Sequence, residues 1–384
     1  MLPPRLSSSC TTPAPAQEGK LGLDDPISKH LADLPASWAK VTVRHLLTHT
    51  SGIKSYTGVG SFEQIARNEH TPQSVMKMVA GFPLEFEPGT QWAYNNTGYY
   101  LLGMLIEKAS GKSYWDFLED RIFLPLGMKN TRNSDPRRLV ERRAAGYAWV
   151  KDKWENRDPI TASAGWAAGS LVSTVGDMAK WDAALYGEKL LSRSSLEQMW
   201  SPVRLAGEKS HPYGFGWGIG EVRKHRNVSH GGGTAAFSTY ISRFPEDKLT
   251  VIVLTNLAGG PASGIAKKVA EHALPALREQ PVRDNEPEIA QEFRKLLKAA
   301  AEGKPELDRF TPELRAAITS PQAAGVTGML KSLGDLKRLE LLERRADGPA
   351  TRHRYRALYE DGAIILTVTK NPDGKIAGML IQPD

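Results

Sequence analysis

The spacing of apolar residues changes near Trp217, and this change constrains the fold more than any other feature of the sequence. Before it, apolar residues recur every three or four positions, as in residues 97–109, which predicts amphipathic helices. After it, short apolar runs alternate with turns, and residues 239–244 and 249–254 predict two paired strands. A further helix is predicted over residues 264–274. The sequence therefore predicts helices combined with an antiparallel sheet.

Two short motifs stand at the borders of these elements. Tyr94 opens a Tyr-Asn-Asn sequence directly before the first predicted helix, and His230 opens a His-Gly-Gly-Gly sequence after an expected strand at Val228. Either motif alone has a structural explanation, as a buried tyrosine or as a histidine at a turn. Together they are typical of acyl transfer by a serine, which needs a base, oxyanion donors and groups that orient the substrate.

Further landmarks surround the two motifs in sequence order. They lie at residues 21–26, 41–52, 87–89, 125–128, 168–171 and 213–217. With them, the chain resembles the serine β-lactamases and penicillin-binding proteins, and in particular the relatives of class C β-lactamases, from Glu18 to about Leu257. The resemblance implies an α/β (α+β) fold of the β-lactamase/transpeptidase type, in which an antiparallel sheet is flanked by helices and joined to an all-helical subdomain.

The resemblance also assigns roles to residues of the two motifs. Tyr94 is expected to be the catalytic base, Asn96 to hold the substrate amide, and His230 to replace the lysine of the family's Lys-Thr-Gly motif. Gly232 leaves room for a substrate beside the strand, and the backbone N–H of Gly233 supplies half of the oxyanion hole. The implied activity is that of a serine hydrolase acting by acyl transfer on an amide or ester, such as a β-lactam, a D-alanyl peptide or a small ester.

The nucleophile of this family is the serine of a Ser-x-x-Lys helix, and its expected place in this chain is not a serine. The serine position falls on Leu2 and the lysine position on Arg5, with the helix-breaking Pro3 and Pro4 between them. We therefore expect residues 1–17 to be a non-native or disordered segment, and the domain to be truncated, without its N-terminal strands and Ser-x-x-Lys helix. The sheet is then expected to have an unpaired edge or a defective core. We predict that this form is inactive.

Ser-x-x-Lys sequences also occur at Ser37 and Ser74 and are candidate replacements. Ser37 follows Pro35 in a predicted loop, and Ser74 follows Pro72 at the predicted start of a helix, where a serine caps backbone N–H groups. Neither is expected to be the nucleophile. His49 belongs to one of the landmarks and is expected to be structural, fixing the loop below the site.

No metal or other cofactor is expected. His45 and His49 have the spacing of a zinc-binding helix, but Leu46 stands where such a helix carries glutamate. A sequence ending in Lys112 resembles the end of a P-loop, yet Ile106 occupies the place of its first glycine. Metal and nucleotide chemistry are therefore not implied.

The chain is expected to contain two domains. Residues 18–277 form the hydrolase domain, residues 278–287 are proline-rich and charged and predict a linker, and residues 288–384 form an accessory domain. In the accessory domain, an amphipathic helix precedes four runs that predict strands. This order predicts a small α+β domain, similar to the cystatin-like appendages of some of these hydrolases, without a catalytic constellation of its own.

The net charge of +7 and the pI of about 9.3 raise the question of an anionic partner. Basic residues are densest in 337–356, but acidic residues are interspersed there, so we expect no nucleic-acid binding. No apolar run is long enough to predict a transmembrane segment, and no secretory signal is recognisable at the start. The resemblance suggests an exported or periplasmic protein whose partner is a small-molecule or peptide substrate. Oligomeric state is not indicated by the sequence.

Two functions stay open at the level of the sequence. The first is the serine hydrolase described above, in an inactive form. The second is a non-catalytic binding protein that uses the same cleft to hold a peptide or a cell-envelope polymer. Covalent labelling and substitution of Tyr94 distinguish the two, because only a hydrolase depends on a base.

Overall fold

A computed structural model describes residues 19–157, 160–320 and 324–384, and the chain in it divides after Leu277 into two units. We refer to the residues up to Leu277 as unit 1 and to Arg278–Asp384 as unit 2. The segment 1–17, expected from the sequence to be foreign to the fold, lies outside the described residues. The positions of the absent serine and lysine, Leu2 and Arg5, lie outside them too.

Unit 1 contains ten α-helices in its described residues. They are α1 Val43–Leu47, α2 Phe62–Arg67, α3 Pro72–Val79, α4 Asn96–Ser110, α5 Tyr114–Leu118, α6 Leu124–Leu126, α7 Ala162–Gly165, α8 Val175–Ala184, α9 Arg193–Met199 and α10 Ala262–Ala273. A π-helical turn, Glu119–Phe123, joins α5 to α6. Short 3-10 turns lie at Ile27–Lys29, Ala36–Trp38, Tyr56–Gly58, Trp166–Ala168 and Pro275–Leu277.

The central helix α4 confirms the helix predicted over residues 97–109. Its N-cap is Asn95, whose side-chain oxygen accepts a hydrogen bond from the backbone N–H of Gly98. Its C-terminal end is followed by Gly111, which has a φ of 70°. An Asn before the first turn and a left-handed Gly after the last are favoured caps. Residues on all sides of the helix, such as Tyr99 and Leu102, are buried in the main core. The helix is therefore enclosed over most of its length and is not amphipathic as its spacing predicted.

The main sheet of unit 1 has four antiparallel strands in the order β10-β9-β8-β7. Their bounds are β7 Gly218–Val222, β8 His225–Gly233, β9 Ser238–Phe244 and β10 Leu249–Thr255. The pair predicted at residues 239–244 and 249–254 is confirmed, with Ile252 opposite Ile241. Helix α10, predicted two residues later than it begins, packs on β9 and β10.

Three two-stranded sheets complete unit 1. They pair β1 Arg132–Asn133 with β4 Leu171–Val172, β2 Tyr147–Val150 with β3 Lys153–Asn156, and β5 Val203–Arg204 with β6 Ser210–His211. The observed mixture of helices and antiparallel sheets is the fold class expected from the sequence. None of the helices in the described ranges is long and apolar enough to cross a membrane.

Unit 2 is a layer of helices on a four-stranded antiparallel sheet. The helices are α11 Pro287–Ala301, α12 Pro312–Ile318 and α13 Ala324–Ser332, with a 3-10 turn at Leu307–Arg309. The strands follow in sequence order as β11 Leu336–Asp347, β12 Ala350–Tyr359, β13 Ala363–Lys370 and β14 Ile376–Pro383. Phe293 and Leu297 of α11 pack against Tyr355 and Leu366 of the sheet in a core separate from that of unit 1.

The segment 278–287, predicted to be a linker, is hydrogen-bonded to the sheet of unit 2. The N–H of Val282 donates to the carbonyl of Leu341 at 2.8 Å, and Arg354 forms two hydrogen bonds with the carboxylate of Glu279. Val282 and Glu279 of the predicted linker are therefore hydrogen-bonded to strands β11 and β12.

Candidate active site

The loop that carries Tyr94 rests on His49. The His49 ring is buried, and its centroid lies 4.7 Å from that of Tyr94. Tyr99 and Tyr213 lie at 5.1 and 5.0 Å from the same ring. The Nδ1 of His49 accepts a hydrogen bond of 3.2 Å from the backbone N–H of Asn95. The imidazole therefore supports both the ring of Tyr94 and the next peptide of the motif.

The backbone around Gly52 holds the same loop by a close contact. The N–H of Ala93 donates to the carbonyl of His49 at 3.0 Å, and the N–H of Glu85 donates to the carbonyl of Gly52 at 2.7 Å. Gly52 has a φ of 72°, and a Cβ there would lie 2.0 Å from the carbonyl oxygen of Phe86. Only glycine fits this position, because other residues would be strained in φ and would clash.

Asn95, the middle residue of the motif, is buried and fixes the residues on either side of it. Its Oδ1 caps α4, and its Nδ2 donates to the carbonyl of Ile53. Tyr94, by contrast, is 43% exposed. The phenol is therefore accessible to a ligand, while the backbone beside it is anchored on both sides.

Asn96 lies at the first position of α4 and is hydrogen-bonded to residues in and directly before the Tyr56–Gly58 turn. Its backbone N–H donates to Oγ of Ser55 at 3.2 Å, and its Nδ2 donates to Oγ1 of Thr57 at 3.0 Å. These bonds fix the backbone and the side-chain amide of Asn96 at the start of α4. Its expected role, holding the substrate amide, stays a prediction.

His230 lies on β8, opposite Ile241 of β9, and is buried. Its Nε2 lies 3.0 Å from the hydroxyl of Tyr213. The centroids of the His230 and Tyr94 rings are 6.3 Å apart, and the two planes are inclined by 29°. The structure thus brings together two residues that the sequence analysis placed in one site. It also adds Tyr213, whose landmark was noticed in the sequence but given no role.

The strand edge beyond His230 is open in the part of the chain that the structure describes. Strand β7 pairs with β8 only as far as Gly218 opposite Ser229, whereas β9 continues to Gly233. A Cβ at Gly233 would meet no atom within 4 Å. Packing does not explain a glycine at this place, but close approach of a ligand to the backbone would explain it.

Trp92 and His211 extend the aromatic cluster on the side of Tyr213. Trp92 stacks on His211 with 4.2 Å between ring centroids and lies 5.5 Å from Tyr213. Burial lowers the pKa of His211 below its usual value of 6.5, so its imidazole is neutral at neutral pH. The cluster therefore offers flat apolar surfaces beside the polar groups of the site.

Three Ser-x-x-Lys sequences lie within the described residues, one of which sequence reasoning missed. The missed one begins at Ser51, next to the Tyr94 loop. Ser51 is buried and accepts a hydrogen bond from the N–H of Ile53, and Lys54 pairs with Glu85 at 2.7 Å. The segment is not helical, so it does not present serine and lysine on one face. A systematic comparison of every lysine with the third residue before it would have found it.

The other two matches have structural positions. Ser37 is exposed in the 3-10 turn Ala36–Trp38. Ser74 lies at the third position of α3, where it exchanges hydrogen bonds with Thr71 in a capping box. Ser74 thus takes part in the expected helix cap, but the N-cap residue itself is Thr71.

The chemistry that these groups can perform is binding and proton transfer. The site can hold and polarise a carbonyl group of a ligand. The groups available for this are the phenol of Tyr94, the imidazole of His230, the side-chain amide of Asn96 and the backbone N–H groups at the edge of β8. Among residues 19–157, 160–320 and 324–384, no group of three or more His, Cys, Asp or Glu side chains is arranged to hold a metal ion.

Comparison with known proteins identifies relatives over most of unit 1. Penicillin-binding protein 4* of Bacillus subtilis (strain 168) is 36% identical over 255 residues, which are 62% of this chain and 56% of that protein. The mitochondrial serine beta-lactamase-like protein LACTB of Homo sapiens is 31% identical over 199 residues, 45% of this chain and 36% of that protein. The chain thus spans about half the length of the first relative and about a third of the second.

Two solved structures of amide hydrolases are also similar to this chain. The D-stereospecific amidohydrolase from Streptomyces sp. has a TM-score of 0.63 at 25% identity, over 71% of this chain and 85% of that one. The D-amino acid amidase from Ochrobactrum anthropi SV3 has a TM-score of 0.62 at 26% identity, over 73% and 84%. The sequence profile of the Beta-lactamase family matches residues 14–274. This chain therefore belongs to the Beta-lactamase family, together with the penicillin-binding-protein-like hydrolases.

Proposed function

We propose that this chain binds amides or esters of the β-lactam or D-alanyl-peptide type at Tyr94 and His230, in the manner of a serine hydrolase that works by acyl transfer. We propose further that the 384 residues by themselves do not turn these compounds over. The observation that carries the proposal is the approach of the Tyr94 ring to His230, 6.3 Å between centroids, beside the open edge of β8.

The polar groups support the binding of a carbonyl compound. Tyr94 is accessible and can exchange a proton with a bound ligand. Asn96 follows two residues later in the chain, and its side-chain amide is held in place by a hydrogen bond to Thr57. The backbone N–H of Gly233 is the expected donor to a developing oxyanion. These are the demands of acyl transfer apart from the nucleophile itself.

The shape of the strand edge supports an extended substrate. An open edge such as that of residues 230–233 can pair with the backbone of a peptide-like molecule, which then lies as an added strand. The glycines leave the faces of the sheet beside this edge free of side chains. A small ester would use the same carbonyl site with fewer contacts along the strand.

The names of the relatives support the substrate class. Two structural neighbours are a D-stereospecific amidohydrolase and a D-amino acid amidase, and others are penicillin-binding proteins. Hydrolysis of an amide next to a D-residue and acylation by a penicillin share one chemistry, the attack of a nucleophile on an amide carbonyl.

The second part of the proposal concerns turnover. A family nucleophile needs a serine that reaches the substrate and a lysine on the same helical face. Of the matches in the described residues, Ser51 is buried, Ser74 belongs to a helix cap and Ser37 lies in an exposed turn. None of these arrangements activates a serine for attack beside Tyr94.

Two probes test the proposal with the 384-residue chain. Fluorescence anisotropy with a fluorescent penicillin is expected to show reversible binding at ligand concentrations up to about 1 mM. Mass spectrometry after incubation with the penicillin or with a fluorophosphonate is expected to show no covalent adduct. Absence of binding would overturn the first part of the proposal. An adduct on any serine would overturn the second, and peptide mapping would identify the nucleophile.

The alternative function is a non-catalytic protein that holds a peptide or an envelope polymer along β8. The open strand edge favours it, because strand addition needs no base. Tyr94→Phe separates the two: a tenfold loss of penicillin affinity supports an acyl-transfer site, and unchanged affinity supports strand addition alone. Tyr147→Phe is the matched control, since Tyr147 is exposed to a similar extent and lies on the separate hairpin β2-β3.

A further inference from the structure

The hairpin formed by β2 and β3 carries two tryptophans on its surface. Trp149 and Trp154 are 53% and 63% exposed. They lie directly opposite each other in the register of the two strands, and their ring centroids are 5.0 Å apart in a T-shaped arrangement. Neither side chain belongs to a hydrophobic core formed by the described residues. Tryptophan is on average a highly buried residue, so an exposed pair is typical of a binding surface.

The two tryptophans share one face of the hairpin. Because successive side chains of a strand point to opposite faces, Asn156 lies on the same face as Trp154, whereas Ala148 lies on the other. Ala148 is 4% exposed, so the other face is turned toward the body of unit 1 at the base of the hairpin. A T-shaped pair uses only one ring face for its own contact. The remaining faces of the two rings are therefore available to a ligand.

The backbone holds the pair in a fixed place. The turn between the strands consists of Lys151 and Asp152, with φ values of 46° and 61°. Positive φ at both residues is the geometry of a type I′ turn, which matches the twist of paired strands. At the base, the N–H of Arg157 donates to the carbonyl of Gly146 at 3.0 Å. The hairpin is thus closed at both ends, and a ligand would have little of it to order on binding.

The base of the hairpin is fixed to the turn between β8 and β9. A Cβ at Gly146 would lie 2.2 Å from the Cβ of Ala236 in that turn. The N–H of Tyr147 donates to the carbonyl of Asn256 at 2.9 Å, and the N–H of Ala258 donates to the carbonyl of Tyr147 at 2.8 Å. The hairpin therefore stands at the end of β8 that carries the open edge. A ligand that pairs with residues 230–233 and continues past them reaches the hairpin.

The charges of the hairpin favour a neutral ligand. Lys151 and Lys153 are balanced by Asp152 and Glu155, so residues 147–156 carry no net charge. Sites for single-stranded nucleic acid combine aromatic rings with a positively charged groove, and segments that bind anionic membranes carry clusters of basic residues. Neither pattern is present here, and charged residues in the projecting turn are unsuited to insertion into a bilayer.

The size of the hairpin favours a small or narrow ligand. A stable protein–protein interface takes about 20–30 residues a side, far more than residues 147–156 provide. Small molecules, by contrast, are held by aromatic side chains together with a few well-placed polar groups. Trp149, Trp154 and the side-chain amide of Asn156 form such a combination on one face.

A sugar ring has the shape and the charge distribution that this face requires. A pyranose with equatorial hydroxyls presents C–H groups on its two flat faces, and these are attracted to the negative face of an aromatic ring. Its hydroxyls point outward around the ring, where the amide of Asn156 can both donate and accept hydrogen bonds. A chain of such sugars is also neutral, as the hairpin is.

We propose that the Trp149–Trp154 pair is a binding site for a neutral chain of pyranose sugars with equatorial hydroxyls, such as a β-1,4-linked chain of N-acetylglucosamine or glucose. The sugar rings stack on the two tryptophans, and Asn156 binds their hydroxyls. Because the hairpin stands at the end of the open edge of β8, the sugar chain is one part of a ligand whose peptide part lies along β8. This connection rests on the function proposed above, whereas sugar binding itself does not.

Calorimetric titration of the full chain with chitohexaose and with cellohexaose tests the sugar site. At least one of the two is expected to bind with a Kd below about 1 mM. Trp149→Leu/Trp154→Leu is expected to weaken binding at least tenfold, because leucines keep an apolar cross-strand contact in the hairpin but offer no aromatic face. Phe82→Leu is the control, since Phe82 is 43% exposed and lies outside the hairpin. Absence of binding to the parent chain, or binding that survives in the double variant, overturns the proposal.

Two further measurements do not depend on how the double variant folds. Saturation-transfer NMR on the parent chain is expected to carry saturation from aromatic protons to the C–H protons on the flat faces of the sugar, and its absence overturns the stacking. Cosedimentation with vesicles of phosphatidylethanolamine and phosphatidylglycerol is expected to leave the chain in solution. Sedimentation of the parent that Trp149→Leu/Trp154→Leu abolishes would make the pair a membrane contact and overturn the proposal.

A joined ligand tests the connection to β8. A chitooligosaccharide linked to a D-alanyl peptide is expected to bind at least tenfold more tightly than the sugar alone, because the second contact is then intramolecular. Equal affinities overturn the connection. The double variant is expected to bind fluorescent penicillin as the parent does, and Tyr94→Phe is expected to keep its affinity for the hexasaccharide. A chain that binds the hexasaccharide but not penicillin contradicts the function proposed above and supports the sugar site.

Discussion

The hydroxyl of Tyr213 lies 3.0 Å from Nε2 of His230, and the same tyrosine ring packs 5.0 Å from the ring of His49. Tyr213 thereby connects the two halves of the site, since His49 supports the Tyr94 loop from below. The hydrogen bond fixes which edge of the imidazole faces the phenol, and the ring contact fixes the plane of the phenol. Tyr213 is therefore a positioning residue for His230.

Tyr213→Phe is expected to weaken penicillin binding about five- to tenfold, which corresponds to the loss of one hydrogen bond of about 1 kcal/mol. The ring remains, so the contact with His49 is kept. Fluorescence anisotropy measures the change. Tyr240→Phe is the control, because it also removes a phenol hydrogen bond in the same sheet, to Ser229 at 3.0 Å. Equal losses in the two variants would contradict a specific role for Tyr213.

The elements that the sequence predicted are those with local signals. Helix α4 has caps at both ends, and the β9-β10 hairpin has two apolar runs around a turn, so both were found close to their observed bounds. Tyr94 and His230 were paired through a family resemblance, not through any local pattern. The short distance between Tyr94 and His230 depends on tertiary contacts, which the spacing of apolar residues does not predict.

The features that were missed depend on such contacts. The platform under Tyr94 combines His49, which was expected to fix the loop below the site, with Tyr213, which is distant in sequence and was given no role. The segment 278–287 has the composition of a linker, yet Glu279 accepts a hydrogen bond from Arg354 of β12, which is 75 residues later in the chain. The composition of a segment predicts that it lies at the surface, but it does not predict which residues it contacts.

Gly52→Ala is expected to lower the free energy of unfolding of unit 1 by more than 2 kcal/mol, because the left-handed φ costs about 1–2 kcal/mol and the Cβ also clashes with Phe86. Gly111→Ala separates the two causes. Gly111 has a φ of 70° but open space around it, so only the cost of φ applies. Urea unfolding followed by tryptophan fluorescence reports unit 1, since all nine tryptophans precede Leu277. Equal losses in the two variants would show that the clash is relieved at no cost.

Asp182→Asn is expected to destabilise unit 1 by about 3 kcal/mol, because it removes the countercharge of a buried guanidinium. Arg243 is fully buried, its Nε donates to the Asp182 carboxylate, and its guanidinium lies over the rings of Tyr186 and Trp200 at 4.8 Å. Urea unfolding measures the loss.

An exposed ion pair provides the control for Asp182. Glu197→Gln removes the partner of Arg193 on the surface of α9 and is expected to change stability little, since exposed pairs contribute little. The double variant Asp182→Leu/Arg243→Met is expected to recover much of the loss, because no unpaired charge is then buried. If Asp182→Asn alone is as stable as the parent, water reaches the guanidinium of Arg243.

Unit 2 is expected to lose stability in acid through His353. His353 is buried against the ring of Phe293, and its Nδ1 accepts a hydrogen bond of 3.3 Å from Nε of Arg344. Burial, and then the positive charges of Arg344 and Lys370, lower the pKa of His353 below its usual value of 6.5. The unfolded chain therefore takes up a proton as the pH falls through about 6.5, while the folded chain does not, so the folded state loses stability below that pH.

Hydrogen exchange of residues 350–359 in the full chain measures this loss. After correction for the intrinsic rates, protection in the parent is expected to be lower at about pH 5.5 than at about pH 7.5. His353→Asn keeps an acceptor near the position of Nδ1 but does not titrate, so its protection is expected to be the same at both. His225→Asn, which changes a histidine of unit 1 that pairs with Asp247, is expected to leave the pH dependence of β12 intact. Equal protection of the parent at the two pH values would mean that His353 takes up its proton to the same extent in the folded and the unfolded chain, and burial of His353 would then not be a source of acid lability.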